Sequence, residues 1–235
     1  MSVMDAAELA AAIDQTLLKP TVGEREAREW MQGQRDAGFA SLCVSPFLVP
    51  AAAEILAGTS TKVCTVVAFP LGYALSVSKA QEAARLVDAG ATEIDMVMNF
   101  AAALEGSWDV VSSDIAAVVS ATREASGGLA IVKVILETGH LDAECIAESC
   151  RVAVAAGADF VKTSTGFGPR GASIADVRIM RDAVGPHVGV KAAGGIRNLD
   201  DALALLAEGA TRIGTSGGLA ILDEFTLRAA APGRG

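Results

Sequence analysis

The stretch "GADFVKTSTGFGPRG", residues 157–171, decides the fold. A glycine of the kind that ends helices, Gly157, precedes a short apolar strand that reaches Lys162 and leads into a glycine-rich loop. Lysines on strands usually lie at sheet edges or extend to the surface, yet Lys162 follows apolar residues and no hairpin comes after it. The same arrangement recurs around Lys191 in "VGVKAAGG", residues 188–195. Two lysines at the ends of apolar strands require a structural or functional reason.

Short apolar segments alternate with longer segments of helical periodicity along the chain. One helical segment, "SVSKAQEAARLVDAG" at 76–90, has a serine and a glycine at its capping positions. Strands separated by helices are typical of parallel βαβ units, and eight of them in 235 residues predict an α/β fold, a single (β/α)8 TIM barrel. We expect one domain over residues 1–235, with a flexible tail at 229–235. The predicted strands are 13–18, 40–45, 62–69, 93–99, 130–137, 159–165, 189–194 and 212–216.

An internal sequence repeat supports the prediction of a barrel. Four segments place a helix-ending glycine just before an even-numbered strand, at Gly38, Gly90, Gly157 and Gly209. The first two glycines are 52 residues apart, and so are the last two. Two halves of similar construction are what a barrel of repeated units would show.

The composition excludes several classes of protein. The chain is 51% hydrophobic but only 4% aromatic, which is typical of alanine-rich helices packed on a parallel sheet. The net charge is −9 without a basic cluster, so we expect no nucleic-acid partner. The first residues lack the basic region of a signal peptide, and no apolar run is long enough to span a membrane. The four cysteines lack metal-site spacing, so we expect a reduced cytoplasmic protein.

Alternation along the strands predicts which polar side chains point into the barrel. Asp95, Lys133, Lys162 and Lys191 come from the fourth to seventh predicted strands and share the inward face. One lysine–aspartate pair would be read as a buried salt bridge. Three lysines against few inward acids give an excess of buried positive charge, which is costly. A functional role is therefore favoured over a purely structural network.

Two lysines on neighbouring strands point to amine chemistry. Repulsion between them and desolvation both disfavour the protonated form, so one amine can be neutral near pH 7. A neutral lysine forms a Schiff base with a carbonyl, and the iminium lets an adjacent carbon–carbon bond break or form. The second lysine keeps its charge, and Asp95 is placed to move protons. This is the chemistry of a metal-independent aldolase, although alternation alone does not say which lysine is the nucleophile.

Glycine-rich turns follow the last two predicted strands, in "AAGGIRN" at 192–198 and "IGTSGG" at 213–218. Barrels often bind phosphate at this position, where backbone N–H groups and a helix N-terminus donate hydrogen bonds. The only histidines, His140 and His187, do not cluster with acids at metal-ligand spacing. No dinucleotide-binding or nucleotide-binding glycine motif follows a strand in the required way. We therefore expect neither a metal nor an organic cofactor.

Eight motifs together resemble the deoxyribose-phosphate aldolase family of class I aldolases. In order they are "IDQTLLKP", "LCVSPFLVP", "VVAFPLG", "EIDMVMN", "KVILETG", "FVKTSTGFG", "VKAAGGIR" and "RIGTSGG", between about residues 13 and 222. The resemblance implies reversible cleavage of 2-deoxy-D-ribose 5-phosphate to D-glyceraldehyde 3-phosphate and acetaldehyde. It also implies small sugar-phosphate and aldehyde substrates and a homodimer.

The resemblance assigns roles to individual residues. It makes Lys162 the Schiff-base lysine, Lys191 the lysine that perturbs it, Asp95 the aspartate of the proton relay and Lys133 a supporting residue. The residues that it implies for substrate binding, phosphate included, are Asp14, Thr16, Lys133, Thr165, Gly166, Gly194, Gly195, Arg197, Gly214 and Ser216.

The sequence departs from the family pattern at two places. Some members carry a lysine that meets the phosphate where this chain has Phe167, so selectivity for phosphorylated substrates is expected to be weaker. Some members end in a tyrosine that assists proton transfer, whereas the only tyrosine here is Tyr73. Two alternatives stay open: another Schiff-base aldolase acting on a keto-acid or a different sugar phosphate, and a non-catalytic phosphate-binding barrel.

Overall fold

The computed structural model of the protein describes residues 4–230. Eight parallel strands close into a barrel in sequence order, with the last strand paired to the first. The strands are β1 (Ile13–Leu17), β2 (Ser41–Val44), β3 (Lys62–Val67), β4 (Glu93–Val97), β5 (Ile131–Ile135), β6 (Phe160–Lys162), β7 (Gly189–Ala193) and β8 (Arg212–Thr215). The predicted (β/α)8 TIM barrel is confirmed, because each predicted strand segment contains one of these strands.

Helices connect consecutive strands and cover the outside of the barrel. They are α1 (Ala6–Ala11), α2 (Glu24–Gln34), α3 (Val49–Leu56), α4 (Ser76–Asp88), α5 (Phe100–Leu104), α6 (Trp108–Ser126), α7 (Ala143–Ala155), α8 (Ile174–Val184), α9 (Leu199–Ala207) and α10 (Gly218–Ala230). Short 3-10 helices follow β2 and β5, at Pro46–Leu48 and Thr138–His140. None of the helices within residues 4–230 is long and apolar enough to cross a membrane.

The repeated glycines turn the chain from helix to strand. Gly38, Gly90, Gly157 and Gly209 have φ angles of 75°, 111°, 93° and 113°, a region that glycine adopts without steric cost. Each lies three residues before the first residue of β2, β4, β6 or β8. At Gly90 a Cβ atom would lie 2.6 Å from the Cβ of Ala53, so the helix and strand pack too closely there for a side chain.

The core lies between the barrel and its helices. On β4, Ile94 and Met96 face the helices and are fully buried, while Glu93 and Asp95 face the interior. The helix layer contains one buried ion pair, in which the Lys79 ammonium on α4 lies 2.6 Å from an Asp114 oxygen on α6. Aliphatic packing outside and charged groups inside give the strands the alternation that the sequence predicts.

Seven of the strands end one or two residues before the predicted boundary, and β6 differs more. The strand predicted to run to 165 ends at Lys162, because further on the N–H of Thr165 bonds to the side chain of Glu137 instead of to a neighbouring strand. The last helix extends to Ala230, two residues into the predicted tail. The rest of that tail, 231–235, lies outside the described residues.

Candidate active site

Four neighbouring strands bring the three predicted catalytic side chains and the supporting Lys133 together inside the barrel. Asp95 on β4 is in register with Lys133 on β5, and Lys162 at the end of β6 is in register with Lys191 on β7. All four side chains are buried, and Lys162 is the only one of them with a measurable exposed fraction, 3%. The inward orientation predicted from strand alternation is therefore what the structure shows.

Asp95 lies at the centre of this group. Its Oδ2 accepts hydrogen bonds from Lys162 Nζ and Lys191 Nζ, each at 2.7 Å. Its Oδ1 accepts one from Lys133 Nζ at 2.7 Å and one from the Cys64 thiol at 3.3 Å. One buried carboxylate thus contacts three ammonium groups, which fixes all three relative to one another.

A second layer of charge lies deeper in the barrel. Asp14 on β1 contacts Lys191 at 2.5 Å and Arg212 at 2.6 Å, and Glu93 on β4 contacts Lys133 at 2.6 Å. Three inward acids thus face four inward cations, so the expected excess of buried positive charge is present. Glu93 shares the inward face of Asp95, and the closure of β1 onto β8 brings Asp14 against Arg212. The same alternation could have identified Arg212, because it shares a strand face with Gly214 and Ser216.

The charges set the ionisation of the network. Burial alone would raise the pKa of Asp95, but Lys133, Lys162 and Lys191 hold it well below its ordinary value of 3.8. Burial opposes the charge of Lys191 in the same way, but Asp14 and Asp95 raise the pKa of that amine above its ordinary 10.5. Lys191 is therefore positively charged near neutral pH.

Lys162 differs from the other two lysines in its surroundings. Its ammonium has one carboxylate partner, Asp95, whereas Lys191 contacts two carboxylates and Lys133 contacts three. It is also the one lysine of the three that lines an open cavity, with a volume of about 260 Å³. Of the three amines, the one that a small molecule can reach is the one with the fewest ionic partners.

The cavity brings most of the predicted substrate-binding residues together. Thr16, Thr165, Gly166, Gly194, Gly195, Arg197, Gly214 and Ser216 line it, together with Lys162 and Phe167. Asp14 and Lys133 do not line it. Both side chains are fully buried in the barrel interior, where Asp14 contacts Lys191 and Lys133 contacts Asp95. The predicted contact of these two residues with substrate stays a prediction.

The glycines leave space at one side of the cavity. Gly194 has a φ of 92°, and a Cβ there would lie 3.0 Å from the Cα of Gly171. At Gly214 a Cβ would lie 3.1 Å from Cε of Lys191, so a larger residue would press on the lysine stem. Helix α10 begins at Gly218, two residues after Ser216. Backbone amides at such turns and a helix N-terminus are donors suited to an anion.

Phe167 lies at the rim where some family members have a lysine. Its ring meets the ring of Phe69 edge to face, with centroids 5.4 Å apart, and the side chain is 55% exposed. A second, mostly apolar cavity of about 260 Å³ is lined by Phe167 as well, together with Leu18 and Phe69. Tyr73 is 73% exposed in the segment between β3 and α4.

Glu137 lies beside the cavity residue Thr165, although the sequence analysis assigns it no role. The residue follows β5 with a φ of 57° and is 2% exposed. Its Oε2 accepts hydrogen bonds from the backbone N–H of Thr165, at 3.2 Å, and from the Thr165 hydroxyl. A left-handed glutamate beside a cavity residue has no signature in the sequence, because its neighbours Leu136 and Thr138 continue an ordinary strand pattern.

Two groups of possible metal ligands lie in the barrel interior. Cys43, Cys64 and Asp95 form one, and Asp14, Cys64 and Glu93 form the other, with the ligand atoms of each within 4.8 Å of one another. The carboxylates of both groups are already bonded to lysine ammonium groups. A cation bound at either group would lie against those ammonium charges, so the donor sets do not suit a metal ion.

A buried amine that opens into a cavity beside a charged lysine and an aspartate is an arrangement that forms Schiff bases. The sequence matches the model of the DeoC/LacD family aldolases over residues 8–224. The chain belongs to this family. It is therefore an aldolase, a carbon–carbon lyase.

Relatives with assigned names agree with the family. The aldolase is 48% identical over 217 residues to the deoxyribose-phosphate aldolase of Caldanaerobacter subterraneus subsp. tengcongensis, which covers 92% of this chain and 93% of the relative. It is 50% identical over 211 residues to the deoxyribose-phosphate aldolase of Streptococcus mutans, covering 90% and 94% of the two chains.

Solved structures share the fold over nearly the whole chain. An aldolase named QR15 has a TM-score of 0.87 and 38% identity, covering 94% of this chain and 97% of its own. The deoxyribose phosphate aldolase of Aeropyrum pernix, described as a tetramer, has a TM-score of 0.86 and 33% identity, covering 94% and 92%. Both structures are similar to this aldolase in sequence as well as in fold, over more than nine tenths of each chain.

Proposed function

We propose that this aldolase cleaves 2-deoxy-D-ribose 5-phosphate reversibly to D-glyceraldehyde 3-phosphate and acetaldehyde, through a Schiff base on Lys162. The observation that carries the proposal is the position of the Lys162 amine. It lies 2.7 Å from the carboxylate of Asp95 and borders a cavity that also contains glycine turns and Arg197. Relatives at 48–50% identity carry the name of this activity.

Each step of the reaction has a group nearby. The neutral Lys162 amine attacks the aldehyde carbon C1 of the open-chain sugar, and loss of water gives the iminium. Removal of the proton from the C3 hydroxyl then breaks the C2–C3 bond, which releases D-glyceraldehyde 3-phosphate and leaves an enamine on Lys162. Protonation of C2 and hydrolysis release acetaldehyde and regenerate the amine. Asp95, in contact with Lys162 and Lys191, is the group that takes and returns protons.

The charge balance of the interior favours Lys162 as the nucleophile. The network contains the cations Lys133, Lys162, Lys191 and Arg212 and the acids Asp14, Glu93 and Asp95. Four cations against three anions leave one positive charge in excess, and loss of one proton balances the set. Lys162 has the fewest carboxylate partners, so deprotonation there breaks the fewest ion pairs.

The glycine side of the cavity would hold the phosphate. Gly194, Gly195, Gly214 and Ser216 present backbone there, close to the N-terminus of α10, and Arg197 adds a guanidinium. Asp14 and Lys133 act from below, by holding Lys191 and Asp95 in place. Phe167 contributes no charge, so phosphate selectivity rests on the backbone amides and Arg197.

Reductive trapping tests the proposal. The protein is incubated with acetaldehyde or deoxyribose 5-phosphate, reduced with borohydride, and analysed by intact mass and peptide mapping. We expect an adduct on Lys162 that is lost in Lys162→Ala, and product formation from deoxyribose 5-phosphate. An adduct with a keto-acid alone would move the activity to another Schiff-base aldolase. Bound sugar phosphate without any adduct would identify a non-catalytic barrel and overturn the mechanism.

The proposal includes a cytoplasmic homodimer. The family resemblance supports the dimer, and the tetramer described for the A. pernix relative is a property of that protein. Light scattering coupled to size-exclusion chromatography measures the mass directly. A mass of twice the 23.9 kDa chain is the expected result, and a fourfold mass would replace the dimer with a tetramer.

A further inference from the structure

Glu137 is a buried acid outside the Asp95 network. Within residues 4–230 it forms no ion pair with a lysine, arginine or histidine, and its Oε1 has no hydrogen-bond partner. It is one of two non-glycine residues with a positive φ in that range, the other being Ala68. A buried, unpaired acid in a conformation that side chains rarely adopt is retained only where its surroundings require it.

The carboxylate of Glu137 organises the turn that follows β6. Its Oε2 bonds to the backbone N–H and to the hydroxyl of Thr165. Gly168 closes the turn against the other oxygen, since a Cβ at Gly168 would lie 2.7 Å from Oε1. Residues 165–168 therefore wrap around one carboxylate, and three of them, Thr165, Gly166 and Phe167, line the cavity.

The hydrogen bonds of Thr165 leave only one kind of contact for a ligand. The Thr165 hydroxyl donates its hydrogen to Oε2 of Glu137, which also accepts the Thr165 N–H. The same hydroxyl oxygen accepts the N–H of Phe167 at 3.0 Å. A threonine hydroxyl has one hydrogen and two lone pairs. One lone pair, and no hydrogen, is left for a ligand in the cavity.

We propose that Glu137 is a positioning residue that orients the Thr165 hydroxyl as a hydrogen-bond acceptor in the cavity. The Thr165 hydroxyl then accepts a hydrogen bond from a hydroxyl group of the substrate. It does not bind a phosphate or carboxylate oxygen, because such an oxygen has no hydrogen to donate. Glu137 thereby favours acceptor aldehydes that carry a hydroxyl group over matched acceptors that lack it. This inference rests on the proposed aldol function and adds a determinant of its acceptor specificity.

Two acceptors that differ by one hydroxyl test the proposal. Acetaldehyde is condensed with D-glyceraldehyde 3-phosphate or with 3-phosphooxypropanal, which lacks the 2-hydroxyl, and kcat and KM are measured for each. Wild type is expected to prefer the hydroxylated acceptor. Glu137→Ala should reduce that preference about tenfold, the size of one hydrogen bond to an uncharged group, mainly by raising KM for the hydroxylated acceptor. Glu137→Gln, whose amide oxygen can accept both Thr165 hydrogens, should restore most of the preference.

A second substitution and a matched control separate positioning from folding. In a Thr165→Val background, adding Glu137→Ala should cause no further change in the acceptor preference, because Glu137 acts through the Thr165 hydroxyl. Arg170 anchors the far end of the same loop through Asp176 and the carbonyl of Thr138. Arg170→Gln should lower Tm without changing the preference. If Glu137→Ala does not fold, Glu137→Asp replaces it in the test. Its shorter side chain moves the carboxylate away from Thr165, and aspartate tolerates a positive φ.

The outcomes distinguish the two proposals. A folded Glu137→Ala or Glu137→Asp with the wild-type preference overturns the role of Glu137, and so does a further loss of preference when Glu137→Ala is added to Thr165→Val. Absence of product from both acceptors with wild type overturns the aldol function itself.

Discussion

Lys162 and Lys191 share one oxygen atom. Oδ2 of Asp95 accepts a hydrogen bond from each amine at 2.7 Å, so the proposed nucleophile and a permanent cation approach each other across a single carboxylate. The Lys191 cation repels a positive charge on Lys162, whereas the Asp95 carboxylate attracts it. The reactivity of Lys162 therefore depends on both partners, and the two can be separated by substitution.

Replacing Lys191 by methionine should slow Schiff-base formation. The change removes the cation beside Lys162 and keeps a side chain of similar length in the space over Gly214. With Asp95 left to hold the Lys162 ammonium, we expect trapping of acetaldehyde on Lys162 to slow about 100-fold near pH 7, within the range typical of a lost acid–base partner. Lys191→Arg, which keeps the charge, is the control, and an unchanged rate in Lys191→Met would contradict the role of Lys191.

The carboxylates of the network should make the protein sensitive to acid. Despite burial, the cations around Asp14 and Asp95 hold the pKa of each below its ordinary 3.8. A depressed pKa means that the folded state holds the ionised form, so this stabilisation is present above pH 3.8 and is lost as the pH falls below it.

Comparison of wild type with Asp14→Asn tests the acid sensitivity. The variant lacks one of these carboxylates and should be less stable at pH 7. The difference in the free energy of unfolding should then narrow below pH 3.8, by at most about 1.4 kcal/mol per pH unit. Urea titrations from pH 2.5 to 7 measure it. A constant difference across that range would mean that Asp14 stabilises the fold without its charge.

Much of the site follows from the alternation of the strands. Asp95, Lys133, Lys162 and Lys191 could be placed inside the barrel because each lies in a strand whose opposite face is apolar. The presence of three lysines among these four residues also indicated a catalytic role. Which lysine reacts did not follow from alternation, because it depends on the carboxylates that reach each amine and on which amine meets the cavity.

Those contacts arise only when the barrel closes. Asp14 and Arg212 are 198 residues apart in the chain and meet because β1 pairs with β8. Register across eight strands is a property of the whole fold, so the contacts of Asp14 with the inward cations could not be predicted from the sequence. The position of Glu137 was unpredictable for a local reason, since its left-handed backbone is imposed by the tertiary contacts with Thr165 and Gly168.

The ion pair between α4 and α6 should matter for stability and not for chemistry. Lys79 is fully buried, bonds to Asp114 and to the carbonyl of Val97, and lies outside the catalytic network. Asp114→Ala leaves a buried cation unpaired, which should lower the free energy of unfolding by about 3–5 kcal/mol. The double variant Lys79→Met, Asp114→Leu should recover most of the loss. Urea denaturation measures both, and trapping at Lys162 should stay near wild type in the double variant.

Phosphate selectivity should respond to a charge at residue 167. Phe167 is 55% exposed at the rim of the cavity that also contains Arg197. Phe167→Lys places an ammonium within reach of a bound phosphate, and a charge-assisted hydrogen bond should increase the kcat/KM ratio of deoxyribose 5-phosphate to deoxyribose by about 10- to 100-fold. Phe167→Met is the uncharged control and should leave the ratio within about threefold of wild type. Arg197→Gln should lower it, because the guanidinium is the one side-chain cation that we assign to the phosphate. If Phe167→Lys and Phe167→Met give the same ratio, the phosphate does not lie on this side of the cavity.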